Sequence, residues 1–384
     1  MAALSIFLPP FSPDYSGVSS VLFDLKTVTA MHDASGCTGN YTGYDEPRWY
    51  GSHSPIFCSG LREIDAILGD DEKLIQKMIA AANDLHPDLM ALVGSPVPMV
   101  IGSDLVGIAA ELEARTGIPS FGFDTTGTEY YDKGAAAAAI ALLHRFTDPA
   151  EPIPGAVNIV GATPLDFGTG ESLDDLRAFL FENEIAVTAC LSMGYTLDAL
   201  KRASSAGINL AVSRTGLLIA DFMEQRYGIP YLCGLPFGDT ASREYLDALQ
   251  AVRQSRRSRI LKGEACEDAE MLILGEQVQA NAIRLALSRE CGIRRIAVGC
   301  LFGIEPRLAL PQDRDLPNER GIMDEMRKDR YHTIIADPFL QKLLPHDTKK
   351  RFLPNPHYAV SSKLGGEPSR MVSRRFNQWI KERR

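Results

Sequence analysis

Cys37 stands in the stretch HDASGCTGNYTGY, residues 32–44, among glycines, threonines and a histidine. Glycine lets a backbone come close to whatever a neighbouring thiol contacts. A cysteine in this setting could be a small buried hydrophobe, a nucleophile, a redox thiol or a metal ligand. The polar, glycine-rich surroundings favour a functional thiol at Cys37. For Cys58, in the similar stretch FCSG, the packing role and the functional role are both left open.

The other five of the seven cysteines lie in apolar strands or at helix ends, and we interpret them as small core residues. They are Cys190, Cys233, Cys266, Cys291 and Cys300. An odd number of cysteines without a tight framework indicates a reducing compartment, so we expect a cytoplasmic protein. The sequence has neither a Cys-x-x-Cys nor a His-Glu-x-x-His zinc motif, and no Gly-x-Ser-x-Gly hydrolase elbow. These absences disfavour the nucleophile and disulfide roles for Cys37.

Composition narrows the function classes further. The 384 residues are 45% hydrophobic and 23% charged, as in ordinary globular proteins, and they carry a net charge of −9. A negative chain is not expected to bind nucleic acid, because phosphate backbones attract basic surfaces. We expect no membrane segment, since no apolar run approaches the roughly 18 residues that a spanning helix needs, and no signal peptide at the amino terminus. No Gly-x4-Gly-Lys-Ser/Thr motif is present, so we expect no P-loop binding of ATP.

Apolar runs alternate with stretches of helical period, which is typical of parallel α/β architecture. We predict three doubly wound, Rossmann-like domains around a central cleft, over residues 1–150, 151–265 and 266–384. The boundaries follow a proline-rich linker at 148–155 and a charged helical bridge at 250–268. Ligands in such sheets bind beyond the carboxyl ends of the strands. The loops expected there hold Cys37, residues 95–98, 162–170, 213–216, 234–239 and Asp337.

Several stretches, in order and at matching spacing, resemble the component 1 family of nitrogenases and nitrogenase-like reductases over nearly the whole chain. HDASGC resembles the family's His-Gly-x-x-Gly-Cys. FCSGLREIDAILGDDEKL resembles its segment Ser/Thr-x4-Glu-x-Asp-x-Val-Phe-Gly-Gly-x3-Leu. VNIVGATPLDFG resembles the strand that opens its middle domain, and INLAVSRTGLLIADFMEQRYGIPYLCGLPFG resembles its segment ending in Met-Glu-x-x-Tyr-Gly-Ile-Pro.

The resemblance implies an iron–sulfur cluster, which this family holds between subunits with three cysteines from each. Cys37 matches one of them. The first family cysteine falls at Ser12 and the third near Pro96, while Cys58 aligns where some members have a cysteine. A four-iron cluster shared with a partner chain is therefore favoured over an eight-iron one. The sequence leaves open whether Asp14 or Asp33 adds an oxygen ligand.

A second site is implied near the middle of the chain. The cysteine that binds the family's iron–molybdenum cofactor falls at Ser213, and its histidine corresponds to His357. We therefore expect a pocket for an organic substrate or another cofactor, lined by Ser213, Arg214, His357 and the loop 162–168. A second metallocofactor and a tetrapyrrole-type substrate both stay open, and Arg214 could clamp a carboxylate or pair with a nearby acid.

As a function, the resemblance implies a subunit of a reductase that receives electrons from an ATP-dependent iron protein and passes them through the cluster to a substrate other than, or including, dinitrogen. The alternative is a non-catalytic scaffold for cofactor assembly, or a structural partner subunit. The expected partners are a paralogous component 1-like subunit or a second copy of the chain, and the iron protein.

Overall fold

A computed structural model describes residues 5–52 and 54–383, and its strands form three parallel sheets. The first sheet contains β1 (Thr27–Met31), β2 (Ile56–Cys58), β3 (Leu89–Val93) and β4 (Ser120–Phe123). The second contains β5 (Ile153–Val160), β6 (Val187–Leu191), β7 (Ala206–Ala211), β8 (Tyr231–Cys233) and β9 (Arg259–Ile260). The third contains β10 (Met271–Gly275), β11 (Ile296–Cys300), β12 (Arg314–Asp315), β13 (Thr333–Ala336) and β14 (Arg351–Pro354). The expected α/β class with three Rossmann-like sheets is confirmed.

The strands alternate with α-helices that bury an apolar face against the sheets. In chain order, these are α1 (Asp14–Leu22), α2 (Gly36–Asn40), α3 (Glu63–Leu68), α4 (Asp71–Leu85), α5 (Pro96–Ile101), α6 (Leu105–Thr116), α7 (Tyr131–Phe146), α8 (Pro164–Phe167), α9 (Glu171–Glu182), α10 (Leu197–Lys201), α11 (Arg214–Tyr227), α12 (Asp239–Ser255), α13 (Gln277–Cys291), α14 (Glu319–Met326), α15 (Tyr358–Ser361) and α16 (Arg374–Lys381). A π-helical turn covers Tyr41–Asp45, and 3-10 turns cover Ala203–Ser205, Pro338–Leu343 and Ser362–Leu364. Among the described helices, none is long and apolar enough to cross a membrane.

Strand order places the loops that can hold a ligand. The orders are β2-β1-β3-β4, β6-β5-β7-β8-β9 and β12-β11-β10-β13-β14. In each sheet, strands are added first on one side of the first strand and then on its other side. The switch points lie between β1 and β3, between β5 and β7, and between β10 and β13. Open parallel sheets bind ligands at such switch points, beyond the carboxyl ends of the strands. Strands such as β1 and β3 are buried along their whole length, as expected for strands covered on both faces.

The predicted connections differ from the observed ones in two places. The stretch 148–155 was predicted as a linker, but β5 begins within it at Ile153. The helical bridge predicted for 250–268 ends at Ser255, where Arg256 takes a left-handed φ of 54°, and Arg259–Ile260 then joins the edge of the second sheet. The strands of the three sheets lie within 27–123, 153–260 and 271–354. The domain boundaries at 150 and 265 stay predictions, and α16 shares its core with the helices of the middle sheet.

Two glycines allow α1 and α7 to cross in close contact. A Cβ on Gly17 would overlap the carbonyl oxygen of Tyr131, and one on Gly134 would overlap that of Asp14. This crossing fixes the start of α7, from which Tyr131 enters the interior. We expect Gly134→Ala to lower the free energy of unfolding by about 1–3 kcal/mol, because an inserted methyl in a packed interface forces the helices apart. Urea denaturation measures the loss.

The matched control is Gly39→Ala in α2, where a Cβ would meet no described atom within 4 Å. It should be neutral or slightly stabilising, because alanine is the better helix former. Equal stability of the two variants would contradict the close-packed crossing.

Candidate functional site

Cys37 lies in the first turn of α2, just beyond the carboxyl end of β1, and is half-buried. The turn is anchored by Asp33, whose Oδ2 accepts a hydrogen bond of 3.0 Å from the backbone N–H of Thr38. Ser35, between them, has a φ of 150°, a value that non-glycine residues rarely adopt. The sequence therefore builds a short, tightly held helix that presents one thiol at the first switch point.

Two hydroxyl groups approach this thiol from neighbouring elements. Tyr15 of α1 and Ser95, which follows β3, both lie within hydrogen-bonding reach of the Cys37 side chain. Burial raises the pKa of the Cys37 thiol, the nearby Tyr15 hydroxyl lowers it, and the carboxylate of Asp33 raises it again, with a net increase. Ser95 Oγ donates its proton to the carbonyl of His32 at 2.9 Å. Without a metal, Cys37 is therefore a protonated thiol inside a small polar cluster.

The third family cysteine was expected near Pro96. The residue directly before this proline, Ser95, is a neighbour of the Cys37 side chain, so the expected position lies close to the site. Ser12, at the first family position, is buried, and its hydroxyl hydrogen-bonds to Asp45 rather than to the thiol. The structure places oxygen, not sulfur, at both positions.

The other predicted ligands are occupied by the protein itself. Cys58 Sγ donates to the carbonyl of Asp33 and accepts from the backbone N–H of Gly60, both at 3.3 Å. The carboxylate of Asp14 accepts backbone hydrogen bonds from Thr126 at 2.9 Å and Gly127 at 2.8 Å. Asp33 is similarly engaged at the start of α2. Within residues 5–52 and 54–383, no group of three or more His, Cys, Asp or Glu side chains could hold a metal ion.

An apolar surface is formed by two short helices that follow strands of the same sheet. None of the side chains of α3 is buried, and Ile67 and Leu68 are 70% and 71% exposed. In α5, which begins directly after Ser95, Val100 is 76% exposed. Exposed apolar patches of this kind mark interaction sites. One thiol beside such a surface fits a metal cluster completed by a second chain, but not a cluster held by this chain alone.

The second predicted site brings its residues together in the interior. Ser213 is fully buried and caps α11: its Oγ accepts from the N–H of Gly216 at 3.1 Å and donates to the carbonyl of Gly161 at 2.6 Å. Arg214 follows it, and its backbone N–H donates to Glu276 Oε1 at 2.8 Å. Ser213 is therefore a helix cap with both of its hydrogen bonds made.

Arg214 joins all three sheets at one point. Its guanidinium donates to the carbonyls of Phe302 and Gly303, beyond β11, and lies 3.3 Å from the carboxylate of Asp132 in α7. The same residue contacts Glu276, beyond β10, through its backbone. Of the two roles that the sequence left open, the structure gives Arg214 the pairing with a nearby acid.

His357 belongs to a second buried cluster. Its Nε2 lies 3.1 Å from Oδ1 of Asp166, and the hydroxyl of Tyr131 donates to the same oxygen at 2.5 Å. Thr163 Oγ1 donates to the other carboxylate oxygen at 2.7 Å. The Phe302 ring packs 5.5 Å from the imidazole. The Nδ1 atom of His357 has no hydrogen-bond partner among the described residues.

These clusters do not fit an organometallic cofactor. Oxygen replaces the sulfur ligand at position 213, Nε2 of His357 faces Asp166, and Arg214 is paired with the chain's own groups. The side chains at positions 213, 214 and 357 therefore bind the chain's own groups where the sequence predicted a pocket.

Sequence reasoning missed several residues of this interior. Asp166 and Ser95 lie in loops expected to carry a site, and Glu276 follows β10 directly, so strand-end position was the available signal. Tyr131 and Asp132 begin a helix, and no local pattern distinguishes them. Among the cysteines taken as core residues, Cys190, Cys233 and Cys300 are buried. Cys291, at the end of α13, and Cys266, in the loop between β9 and β10, are half-buried.

Burial sets the protonation of the interior carboxyl groups. Asp132 is 1% exposed, and neither of its oxygens accepts a hydrogen bond from a described residue. Burial raises the pKa of Asp132 to about 6, with Arg214 lowering it and Asp166 raising it. The pKa of Glu276 is also raised, first by burial and then by Asp166.

Asp132 should make stability depend on pH. Because its folded pKa exceeds the unfolded value, the folded state binds more protons between about pH 4 and 6, and stability falls as pH rises through this window. Asp132→Asn should therefore gain about 3 kcal/mol relative to wild type between pH 4 and 7. Urea denaturation across this range measures the difference. Asp84→Asn, at an exposed position of α4, is the control, and a pH-independent difference for Asp132→Asn would contradict the assignment.

The geometry can be compared with known proteins. The profile of the family described as nitrogenase component 1 type oxidoreductase matches residues 14–298. One of the subunits of the light-independent protochlorophyllide reductase of Nostoc punctiforme is 23% identical over 266 residues, covering 60% of this chain and 52% of the relative. The nitrogenase iron-molybdenum cofactor biosynthesis protein NifE of Methanosarcina barkeri is 25% identical over 242 residues, covering 58% and 51%. The chain spans about half the length of these curated relatives.

Solved structures agree on the fold. Structures described as nitrogenase Cp1 at pH 6.5 and at pH 5 match with TM-scores of 0.57 and 0.56. They cover 79% and 85% of this chain, and 64% and 72% of theirs, at 18% and 17% identity. At this level of identity the likeness extends to the architecture of the sheets.

Proposed function

Since the chain belongs to the nitrogenase component 1 type oxidoreductases, we propose that it is a subunit of a cytoplasmic, nitrogenase-like reductase. In this proposal it receives electrons from a separate ATP-dependent iron protein and passes them, through an iron–sulfur cluster at Cys37, to a substrate that need not be dinitrogen. The main observation in support is the half-buried Cys37 thiol, which lies at a strand switch point beside the exposed apolar helices α3 and α5. The sequence lacks a P-loop, so the ATPase is a different polypeptide.

The proposal requires a second chain. A four-iron cluster is held by four ligands, usually cysteine thiolates, and this chain offers Cys37. The partner is a paralogous component 1-like subunit or a second copy of the chain, which supplies the remaining ligands. The exposed side chains of α3 and α5 support this, because the cores of stable subunit interfaces are apolar.

When bound, the cluster would supply single-electron transfer. The chain's own contribution is to hold one corner of it and to orient the ligand. Tyr15 and Ser95 already lie within hydrogen-bonding reach of the Cys37 side chain, and such partners fix a metal ligand and tune its electron density. The thiol must lose its proton on binding iron, so cluster binding should weaken as pH falls.

A second candidate function is a scaffold for assembling a metallocofactor, or an electron-inert partner subunit. The observation that favours it is the interior, where Ser213, Arg214 and His357 bind the chain's own groups. The sequence identity to the biosynthesis protein NifE, 25%, is close to the 23% identity to the reductase subunit.

The test is to express the chain alone and together with a component 1-like paralogue, purify each product without oxygen, and measure iron content and EPR spectra. We expect iron in the complex and a signal that appears or disappears on reduction. An iron-free complex would overturn the proposal. Turnover by the loaded complex with an iron protein and ATP would favour the reductase, whereas transfer of a preformed cofactor to another protein, without turnover, would favour the scaffold.

A further inference from the structure

One exposed segment, residues 362–370, lies over the carboxyl edge of the middle sheet, and we call it the strap. Its ends are anchored in the interior: Ser361 Oγ donates to Asp337 Oδ2 at 2.7 Å, and Met371 is 2% exposed. Between these anchors the sequence is SKLGGEPSR, in which a glycine pair gives the backbone freedom. The strap is therefore a segment with a flexible, glycine-containing sequence whose two ends are anchored.

The strap covers the loop that carries Asp166. Glu367 Oε2 accepts from the backbone N–H of Thr169 at 3.0 Å, and its Oε1 accepts from Tyr358 Oη at 3.2 Å. A Cβ on Gly168 would overlap Glu367 and Pro368, so the strap lies directly on this glycine. Beneath it, a cavity of about 20 Å³ is lined by Asp166 and Pro368 among others, which is room for about one water molecule.

Ion pairs at the surface hold the strap closed. Arg370 donates from Nε and Nη2 to the two carboxylate oxygens of Asp175 at 2.7 and 2.6 Å, and from Nη1 to Glu171 at 2.7 Å. Both acids belong to α9, beside the covered loop. Exposed ion pairs contribute about 0.2–1 kcal/mol each, so this closure is reversible at modest cost.

The first residue of the strap carries strained backbone. Ser362 has a φ of 48°, in the left-handed region that disfavours residues other than glycine. Strain of this kind persists where surrounding contacts enforce it, and it is found at switches and clamps. Ser362 is therefore suited to act as a hinge.

The strap also touches the surface around Cys37. Lys363 Nζ lies 4.9 Å from the ring centre of Tyr44 and 5.4 Å from that of Tyr50. These tyrosines follow Cys37 in the chain and are 47% and 78% exposed. The contact of Lys363 with these rings therefore ties the strap to the surface that follows α2.

We propose that the strap is a lid over the buried Asp166–His357 pair, and that the ion pairs of Arg370 and the contact of Lys363 with Tyr44 and Tyr50 hold it closed. This inference concerns the motion of the chain itself and stands whether or not Cys37 binds iron.

Limited trypsin digestion tests the lid, because trypsin must take the Lys363 side chain into its specificity pocket, and Lys363 is held on the tyrosine rings when the lid is closed. Arg370→Gln removes the closing ion pairs and should raise the rate of cleavage after Lys363 by about three- to tenfold. Tyr44→Ala/Tyr50→Ala should raise it similarly. Mass spectrometry identifies the product that begins at Leu364.

Access to the interior is measured on the same variants by carbethoxylation of His357 with diethyl pyrocarbonate, which should accelerate in parallel. Arg374→Gln is the matched control, since Arg374 is exposed and none of the ion pairs among the described residues includes it. Wild-type cleavage rates in Arg370→Gln, or cleavage spread over the whole chain, would overturn the lid. Faster cleavage without faster labelling of His357 would overturn its role as a gate, and a wild-type rate in the tyrosine variant would overturn the part of Tyr44 and Tyr50 in closure.

Discussion

Cys37→Ala is expected to remove the iron from the anaerobically purified complex while leaving the chain folded. A cluster shared between two chains loses a thiolate that the other described side chains cannot replace. Cys58 is engaged with Asp33 and Gly60, and the carboxylates of Asp14 and Asp33 hold backbone N–H groups. Iron analysis and EPR of the variant complex measure the loss, which should reach background.

The fold should survive because Cys37 is half-buried and its removal leaves no large cavity. Circular dichroism and the melting temperature of the variant chain check this. The matched control is Cys58→Ala, which removes a neighbouring half-buried thiol of the same sheet edge. We expect it to retain iron. Equal loss of iron in both variants would show that Cys58 is also a ligand, and iron retention in Cys37→Ala would remove the basis of the proposed function.

The fold was predictable because its signals are local. Strands buried on both faces read as short apolar runs, as in β3, whose five residues LMALV are all buried. The same rule, that ligands bind beyond strand ends, indicated the loops that contain Cys37, Ser95, Asp166 and Ser213. Position along the chain was thus enough to find where sites could form.

The pairing of these residues was not predictable, because it depends on how the sheets face one another. Arg214 meets Asp132, 82 positions earlier, and Asp166 meets His357, 191 positions later. No periodicity or motif encodes contacts at such separations. The assignment of His357 to a cofactor pocket therefore rested on the resemblance, while the structure shows its ring against the chain's own carboxylate.

Arg214→Met is expected to lower the free energy of unfolding by about 3–5 kcal/mol, the usual cost of breaking a buried ion pair by removing one partner. The cost arises because the Asp132 carboxylate would remain buried without its countercharge. Asp132 is 1% exposed, its oxygens accept no hydrogen bond from a described side chain, and Asp166 lies near enough to raise its pKa. Methionine fills the space of the arginine stem but gives Asp132 no countercharge.

The matched control is Arg226→Met, at an exposed position of the same helix, which should change stability by less than about 0.5 kcal/mol. Asp132→Asn/Arg214→Met should be more stable at neutral pH than Arg214→Met alone, because the neutral amide no longer needs the guanidinium. Urea denaturation of the single and double variants gives the coupling energy between the two positions. Strictly additive effects would contradict the pairing, whereas recovery in the double variant would identify Arg214 as the charge that makes the buried Asp132 carboxylate tolerable where the sheets meet.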